Sequence, residues 1–178
     1  MKVMQIDRDQ FDSVFPIMDE AFPEDEIREK EDQKELFSSP YYHFYIIKRQ
    51  IKTVGILAAW EFDSFRFIEH LAVDRKCRGA GIGHTLLNEY IQMDERPVVL
   101  EVELPENEIS RRRIAFYQDL GFYLNGFSYC QPPLRKGQSD KTLLIMSYPA
   151  PVKSEDFEPV KREIYRNAYG RELEEACL

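Results

Sequence analysis

The chain has 178 residues, a hydrophobic content of 43% and a net charge of −8 from 24 basic and 32 acidic residues. This length supports one sizeable core, and the composition excludes a collagen-like, low-complexity or largely disordered chain. No apolar run approaches the roughly 18 residues of a membrane-spanning helix, and residues 1–10 lack the apolar stretch of a secretory signal. We therefore expect a cytoplasmic protein that has no membrane partner.

The cysteines and the overall charge argue against three further classes of protein. Cys77, Cys130 and Cys177 are odd in number and far apart, without a C-x-x-C pair, so we interpret them as ordinary thiols and expect no metal site. The negative net charge opposes attraction to a polyphosphate, so we expect no nucleic-acid partner. A local basic patch could still bind a single phosphate group.

The negative charge is concentrated between Asp19 and Glu35, where nine acidic residues stand against three basic ones. One interpretation is an acidic rim that attracts a cationic substrate. The other, which the sequence favours, is a solvated helix face.

Hydrophobic periodicity predicts strands and helices along most of the chain. In chain order they are a strand at 3–7, helices from about Asp9 to Pro23 and from Ile27 to Ser38, strands at 41–49, 53–62 and 65–73, a helix from Ile82, a strand at 98–104, a helix over 109–120, strands at 122–130 and 141–148, and a tail helix from Lys153. The short connections within 41–73 predict antiparallel hairpins. The strand, helix and strand that follow predict a parallel pair with a right-handed crossover.

The tail helix carries an apolar stripe at helical spacing. Exposure of this stripe would create an adhesive surface, so we expect it to be buried on the chain's own domain or across a homodimer. Its members are Phe157, Val160, Ile164 and Ala168.

Three glycines alternate between a predicted strand and a predicted helix in the segment Arg78–Gly83 (RGAGIG). Without side chains, the backbone can turn tightly and present N–H groups to a phosphate at the start of the helix, although a tight turn alone also requires glycine. A Walker A loop needs Lys and then Ser or Thr after the last glycine, whereas His84 and Thr85 stand there.

A dinucleotide-binding fold has G-x-G-x-x-G directly after its strand, whereas here the glycines are spaced G-x-G-x-G and five residues, Asp74 to Arg78, intervene. Glu101 and Glu103 lie near the distance expected of a ribose-binding acid. This alternative therefore stays open, although it is disfavoured.

Two motifs in this order resemble the GNAT superfamily of acyl-CoA-dependent N-acyltransferases. Arg78, Gly81 and Gly83 match its pattern of Arg or Gln, two residues, Gly, one residue, and Gly or Ala, after an apolar strand. The segment Phe116–Phe122 (FYQDLGF) is similar to the family's helix ending in a tyrosine followed by Leu-Gly-Phe. The resemblance covers roughly residues 3–148.

The resemblance implies a mixed α/β fold: a mostly antiparallel sheet of about seven strands with a splayed parallel pair, flanked by helices on both faces. It implies a catalytic domain over 1–150, and the tail, 151–178, is then a helical appendage. It also implies that acetyl-CoA is the cosubstrate and that its pantetheine and phosphates meet one set of residues. These are Leu71, Ala72, Val73, Arg78, Gly79, Ala80, Gly81, Ile82, Gly83 and, where many relatives have asparagine, Ser110.

The acetyl transfer itself needs a base for the acceptor ammonium and an acid for the leaving thiolate. Glu69 is the first choice for the base, because it interrupts an apolar strand and shares a face with Leu71, and several families of this type have a glutamate there. Glu103 is the reserve, and alternation places His70 on the opposite face. Tyr117 matches the family's acid, since a phenol stays protonated at neutral pH.

The sequence does not identify the amine acceptor. The loop 131–140 carries two prolines followed by Arg135 and Lys136; it could bind an anionic group of the acceptor, or it could be a surface hairpin. The resemblance predicts an N-acetyltransferase acting by direct transfer to a primary amine of a small molecule or peptide. The alternative is a non-catalytic acyl-CoA sensor or interaction module, which the change to Ser110 supports.

Overall fold

The computed structural model describes residues 2–172. Within them are eight strands, five α-helices, short 3₁₀ turns and a π-helical turn at Tyr165–Tyr169. No helix in this range is long and apolar enough to cross a membrane. The strands are β1 (Val3–Ile6), β2 (Tyr42–Arg49), β3 (Lys52–Glu61), β4 (Arg66–Val73), β5 (Val98–Glu103), β6 (Tyr123–Leu124), β7 (Tyr129–Gln131) and β8 (Lys141–Tyr148). The helices are α1 (Phe11–Ala21), α2 (Lys30–Glu35), α3 (Ile82–Ile91), α4 (Glu108–Asp119) and α5 (Ser154–Ile164).

The chain forms two compact units, one from Met1–Glu61 with Ile68–Glu95 and one from Phe62–Phe67 with Arg96–Leu178. In the first unit β2 pairs antiparallel with β3, as their short connection predicts, and also with β1, which the sequence did not predict. Helix α1 buries Phe11, Val14 and Met18, which recur every three to four residues along one face. These side chains and the apolar faces of β2 and β3 form the core of this unit.

The segment between α1 and α2 differs from the prediction. The second helix was expected from Ile27, but α2 begins at Lys30, and residues 22–29 are not helical. Ile27 and Arg28 are buried instead, at 1% and 8% exposure. Their tertiary contacts replace a further helical turn, because helix propensity is weak compared with packing.

In the second unit, β8 is the central strand and pairs antiparallel with β5, β6 and β7. The continuous strand expected over 122–130 is divided into β6 and β7. Asn125 lies at the interruption, where its side-chain amide donates to the Ile145 carbonyl and the Ser147 hydroxyl, at 3.1 and 3.0 Å. Its side-chain oxygen also accepts from the Val152 N–H at 2.9 Å. The asparagine thus satisfies groups that a regular strand would pair through its backbone.

Strand β4 begins in the second unit, where the Arg66 N–H donates to the carbonyl of Pro97, directly before β5, at 2.8 Å. β4 is the parallel neighbour of β5, whereas the other strand pairs with a described register are antiparallel. The predicted mixed α/β fold with mostly antiparallel strands and one parallel pair is therefore confirmed.

The tail packs on the second unit. Phe157 stacks on Phe127 with ring centroids 4.2 Å apart, and Tyr165, in the π-helical turn, is fully buried. Of the predicted apolar stripe, Phe157, Ile164 and Ala168 are buried and Val160 is half-buried. The boundary at residue 150 stays a prediction.

The expectation of three ordinary thiols is wrong for Cys130, which is disulfide-bonded. Cys77 is a free thiol, and Cys177 lies outside the described residues. Spacing along the sequence does not predict which cysteine side chains approach each other in space, since the bond depends on a short separation of their Cβ atoms.

Candidate active site

Asp74 anchors the loop that follows β4 to the neighbouring strand β3. The Asp74 carboxylate accepts the Lys76 N–H at 2.9 Å and thereby caps a 3₁₀ turn at Arg75–Cys77. Lys52, on β3, donates to the same carboxylate at 2.6 Å. This hydrogen bond, more than any other interaction, holds the pKa of Asp74 below its ordinary value. The start of the loop is therefore fixed.

The glycines then place the backbone in a conformation that other residues adopt only with strain. Gly79 and Gly81 have φ of +79° and +72°, and a Cβ added to either would meet no atom within 4 Å. Gly81 precedes the first residue of α3, and no side chain caps this helix. Exposed backbone at the start of a helix is suited to an anion, because N–H groups there point along the helix axis.

The other residues predicted to bind acetyl-CoA form one continuous stretch with this loop. Arg78 is exposed, and its Nε donates to the Val73 carbonyl at 3.2 Å. Ile82 is different, because its side chain is 2% exposed and belongs to the core of the first unit. Leu71, Val73 and Gly83 are half-buried, Ala72 is buried, and Ala80 is exposed.

Glu69, the predicted base, lies in a closed cluster of side chains in the first unit. Its Oε1 accepts from Nη1 of Arg28 at 2.7 Å, and its Oε2 accepts from Nε1 of Trp60 at 3.1 Å. The side chains of Glu69 and Arg28 are 1% and 9% exposed. Burial raises the pKa of Glu69, but the charge of Arg28 and the two hydrogen bonds outweigh it and hold the pKa below its ordinary value.

His70 packs against the non-helical segment 22–29, as Glu69 does. Strict alternation along β4 would place the two side chains on opposite faces, so this shared contact was not predicted. The His70 ring contacts Phe22, and its Nε2 lies 2.8 Å from the carbonyl oxygen of Glu26, so Nε2 carries the proton. Burial lowers the pKa of His70, which favours the neutral ring. Its Nδ1 then presents a lone pair 3.8 Å from Oε2 of Glu69 and has no hydrogen-bond partner within the described residues.

Trp60 and Arg28 are the residues of this cluster that the sequence did not indicate. Arg28 stands in a strongly acidic segment that offers it several carboxylates nearer along the chain than Glu69. Only the fold brings it to Glu69, which is 41 residues away along the chain.

The predicted acid lies in the second unit. Tyr117, on α4, is 8% exposed and packs against Phe116 and Phe122. Burial raises its pKa to about 12, so the phenol is protonated at neutral pH. Its hydroxyl makes no hydrogen bond with the residues that the structure describes, which leaves the proton available to a ligand.

Ser110 takes part in the capping box at the start of α4. Its N–H donates to the side chain of Asn107 at 2.9 Å, and its hydroxyl accepts the Asn107 N–H at 3.2 Å. This capping box satisfies N–H groups that a helix N-terminus otherwise leaves unpaired. The serine thus has a structural role, and its contact with a cofactor stays a prediction.

The two acids of β5 differ in their surroundings. Glu103, the reserve base, is 38% exposed and lies 3.5 Å from Arg113. Glu101 accepts hydrogen bonds from the hydroxyls of Tyr129 and Tyr169, so it ties the π-helical turn of the tail to β5.

Comparisons with known proteins agree on one family. The family model described as "Acetyltransferase (GNAT) family" matches residues 4–122, which is more than half of the chain. "Putative acetyltransferase YjbC" of Bacillus subtilis (strain 168) is 27% identical over 157 residues, which cover 85% of this chain and 79% of the relative.

Solved structures extend the similarity to the whole fold. "Putative acetyltransferase from GNAT family from Bacteroides thetaiotaomicron" is 30% identical and has a TM-score of 0.89, covering 97% of this chain and 100% of that chain. The ribosomal-protein-S18-alanine N-acetyltransferase from Escherichia coli, at 17% identity, shares the fold with a TM-score of 0.64 over 87% of this chain and 97% of its own. With the glycine loop after β4 and the tyrosine of α4 in place, the chain belongs to the GNAT family of acetyltransferases.

Proposed function

We propose that this chain is an N-acetyltransferase that transfers an acetyl group from acetyl-CoA to a primary amine of a small molecule or peptide. The observation that carries the proposal is the loop before α3. Its two glycines of positive φ, the open space where their side chains would be and the uncapped helix start fit the pyrophosphate of a CoA.

The first unit supplies the groups that hold the cosubstrate. Arg78 and the backbone N–H groups of residues 79–83 bind the phosphates, and the backbone of residues 71–73 contacts the pantetheine. Because Arg78 already contacts the Val73 carbonyl, the loop keeps its position beside the end of β4. Backbone donors at the end of β4 would also polarise the thioester carbonyl as negative charge develops on its oxygen.

The amine attacks the thioester carbonyl directly, and the C–S bond breaks. We assign the proton that leaves the ammonium to Glu69, with Glu103 as the alternative base. We assign the proton that the departing thiolate gains to Tyr117, whose raised pKa keeps a proton on the phenol before transfer. No covalent intermediate with the chain is needed, and Cys77 lies in the loop region, in the 3₁₀ turn after β4.

A non-catalytic acyl-CoA binder is the second candidate. The closed ion pair of Glu69 with Arg28 supports it, because a carboxylate with this exposure does not meet an amine in the present conformation. The two candidates share the CoA site and differ in turnover.

A thiol-release assay with acetyl-CoA and a panel of primary amines, alongside thermal shifts with CoA, tests the proposal. We expect CoA to raise the melting temperature and at least one amine to release thiol. Tyr117→Phe and Glu69→Gln should keep CoA binding and lose about 10²–10⁴-fold in kcat, since general acid and base steps carry roughly this factor. Stabilisation by CoA without turnover on any amine would favour the sensor instead.

The base is identified by comparing Glu69→Gln with Glu103→Gln. If Glu69 is the base, only the first variant flattens the acidic limb of the kcat/KM profile. Two acceptors of different amine pKa separate ionisation of the enzyme from that of the substrate. Near-wild-type turnover of Glu69→Gln would transfer the role to Glu103.

A further inference from the structure

Basic residues are concentrated around the glycine loop, although the chain as a whole is acidic. The tip of the hairpin of β2 and β3, residues 48–52, and the loop 74–83 together hold six basic residues and one acidic residue, whereas the rest of the chain holds 18 basic and 31 acidic residues. The six are Lys48, Arg49, Lys52, Arg75, Lys76 and Arg78. A surface whose charge opposes that of the rest of the molecule is suited to an anionic ligand.

The hairpin tip is fixed beside the start of the loop, and both belong to the first unit. Lys52 donates to the Asp74 carboxylate at 2.6 Å, and the Asp74 N–H donates to the Val54 carbonyl at 2.9 Å. The register of β2 on β3 shifts between Ile47 and Lys48, which leaves Val54 without a partner on β2. A β-bulge of this kind changes the direction of the strand, and here it brings the tip to the loop.

Positive charge remains at this junction after the carboxylate of Asp74 has been paired. Hydrogen bonds from the Lys52 side chain and the Lys76 N–H, together with the charges of both lysines, hold the pKa of Asp74 below its ordinary value. Arg49 lies directly opposite Lys52 in the register of β2 and β3, so the two side chains project from the same face of the sheet. Three basic side chains thus stand against one carboxylate.

Two of the basic side chains have no partner to give up. Arg49 and Lys76 are exposed, and their side chains make no hydrogen bond or ion pair with the residues that the structure describes. Arg75 differs, since it lies 3.9 Å from Glu20, and Arg78 donates to the backbone at the end of β4. Arg49 and Lys76 are therefore the cations that can bind a further anionic group without losing an existing contact.

CoA carries phosphate at two places, the pyrophosphate and a monoester at the 3′ position of its ribose. The proposed function assigns the pyrophosphate to residues 79–83. We propose that Arg49 and Lys76 form a second subsite, which binds the 3′-phosphate and makes the protein select CoA over 3′-dephospho-CoA. The inference rests on the proposed use of acetyl-CoA and names the part of this cosubstrate that the hairpin tip recognises.

The two cations match a phosphate monoester in charge and in reach. Such a group carries a charge of about −1.5 to −2 at neutral pH and offers three acceptor oxygens, of which the planar fork of Arg49 can bind two and the ammonium of Lys76 the third. Three peptide units of about 3.8 Å join Lys76 to Gly79, so their Cα atoms are at most about 11 Å apart. Because one ribose joins the two phosphate groups of CoA, a single ligand can occupy both subsites.

Titration calorimetry with CoA and with 3′-dephospho-CoA, which differ by this phosphate alone, tests the subsite. The salt concentration is held at about 0.15 M, where a Debye length of about 8 Å limits the action of distant charges. We expect the wild type to bind CoA at least about tenfold more tightly than 3′-dephospho-CoA. Arg49→Met/Lys76→Met should lose this preference, because its affinity for CoA falls while its affinity for 3′-dephospho-CoA stays the same.

Single variants separate a local contact from a change in net charge. Arg49→Met and Lys76→Met should each lower the preference for CoA by about threefold, and they serve as the test if thermal unfolding shows that the double variant does not fold. Lys153→Met removes the same charge from an exposed lysine before α5, in the second unit, and should keep the full preference. Lys76→Arg, which keeps the charge, should keep most of it.

Equal affinities of the wild type for the two ligands would overturn the inference and leave the proposed use of acetyl-CoA intact. A preference that is the same in Arg49→Met/Lys76→Met as in Lys153→Met would overturn it too, since the 3′-phosphate would then bind elsewhere. If the wild type binds neither ligand, the proposed use of acetyl-CoA fails together with the subsite. Calorimetry measures binding without turnover, so a preference carried by these two residues supports the subsite in an enzyme and in a sensor alike.

Discussion

At its carboxyl end β4 leads into a loop whose residues 78–81 are exposed, whereas in the middle of β4 the side chain of Glu69 is enclosed. The loop owes its conformation to two glycines of positive φ, and the phosphate site that we propose there needs no rearrangement of the backbone. The Glu69 cluster is already saturated by Arg28 and Trp60. The proposed phosphate site is thus built from open backbone, whereas the proposed base is enclosed by side chains that already bond both of its oxygens.

The largest effect is expected from breaking the pair at Glu69. Arg28→Met should destabilise the protein by about 3–5 kcal/mol, because it leaves a buried carboxylate without its cation. The double variant Arg28→Met/Glu69→Gln should recover much of this loss. Chemical denaturation of the single and double variants gives the coupling free energy.

The matched control is the pair of Lys30 with Asp12, 3.0 Å apart, whose side chains are 43% and 50% exposed. Solvent screens this pair, and Asp12 keeps Lys34 as a second partner at 2.7 Å, so Lys30→Met should cost much less than Arg28→Met. Equal losses at the two sites would mean that the enclosure of Glu69 contributes nothing.

The loop should respond in affinity more than in stability. Gly81→Val places a β-branched residue at a φ of +72° and adds a side chain in the space proposed for the phosphate. We expect CoA binding to weaken by at least about tenfold, or 1.4 kcal/mol, by titration calorimetry. Gly126→Val, in equally open space without a positive φ, should bind CoA like the wild type. If a folded Gly81→Val variant binds CoA with unchanged affinity, the phosphates do not bind at this loop.

The smallest effect is expected from lowering the pH, which reduces the free energy of unfolding gradually. The pKa of Glu69 is lower in the folded protein than its ordinary value of 4.5, so its contribution to stability is fully present above about that pH and disappears as the pH falls below it. The difference in unfolding free energy between wild type and Glu69→Gln should therefore be constant near neutral pH and shrink below pH 4.5. The difference between Glu69→Gln and Arg28→Met/Glu69→Gln, neither of which has this carboxylate, should lack the dependence. A difference that persists unchanged in acid would contradict an ionised Glu69.

The sequence predicted the elements whose patterns are local. The period of Phe11, Val14 and Met18 gave α1, the short connections gave the hairpin of β2 and β3, and the alternating glycines gave the loop before α3. Each of these signals depends on neighbours along the chain: one face of a helix, a tight turn or a φ that only glycine adopts easily. The motifs that matched the GNAT family are of the same kind.

Only the tertiary structure decided the state of Glu69 and the start of α2. Residues 28, 60 and 69 come from three separate parts of the chain, and burial of the ion pair takes the place of the helical turn expected at Ile27. Likewise, Asn125 interrupts a predicted strand through contacts with β8 and Val152. The physical reason is that charge pairing and side-chain hydrogen bonds gain their strength from burial, and burial is a property of the folded chain, which no local pattern encodes.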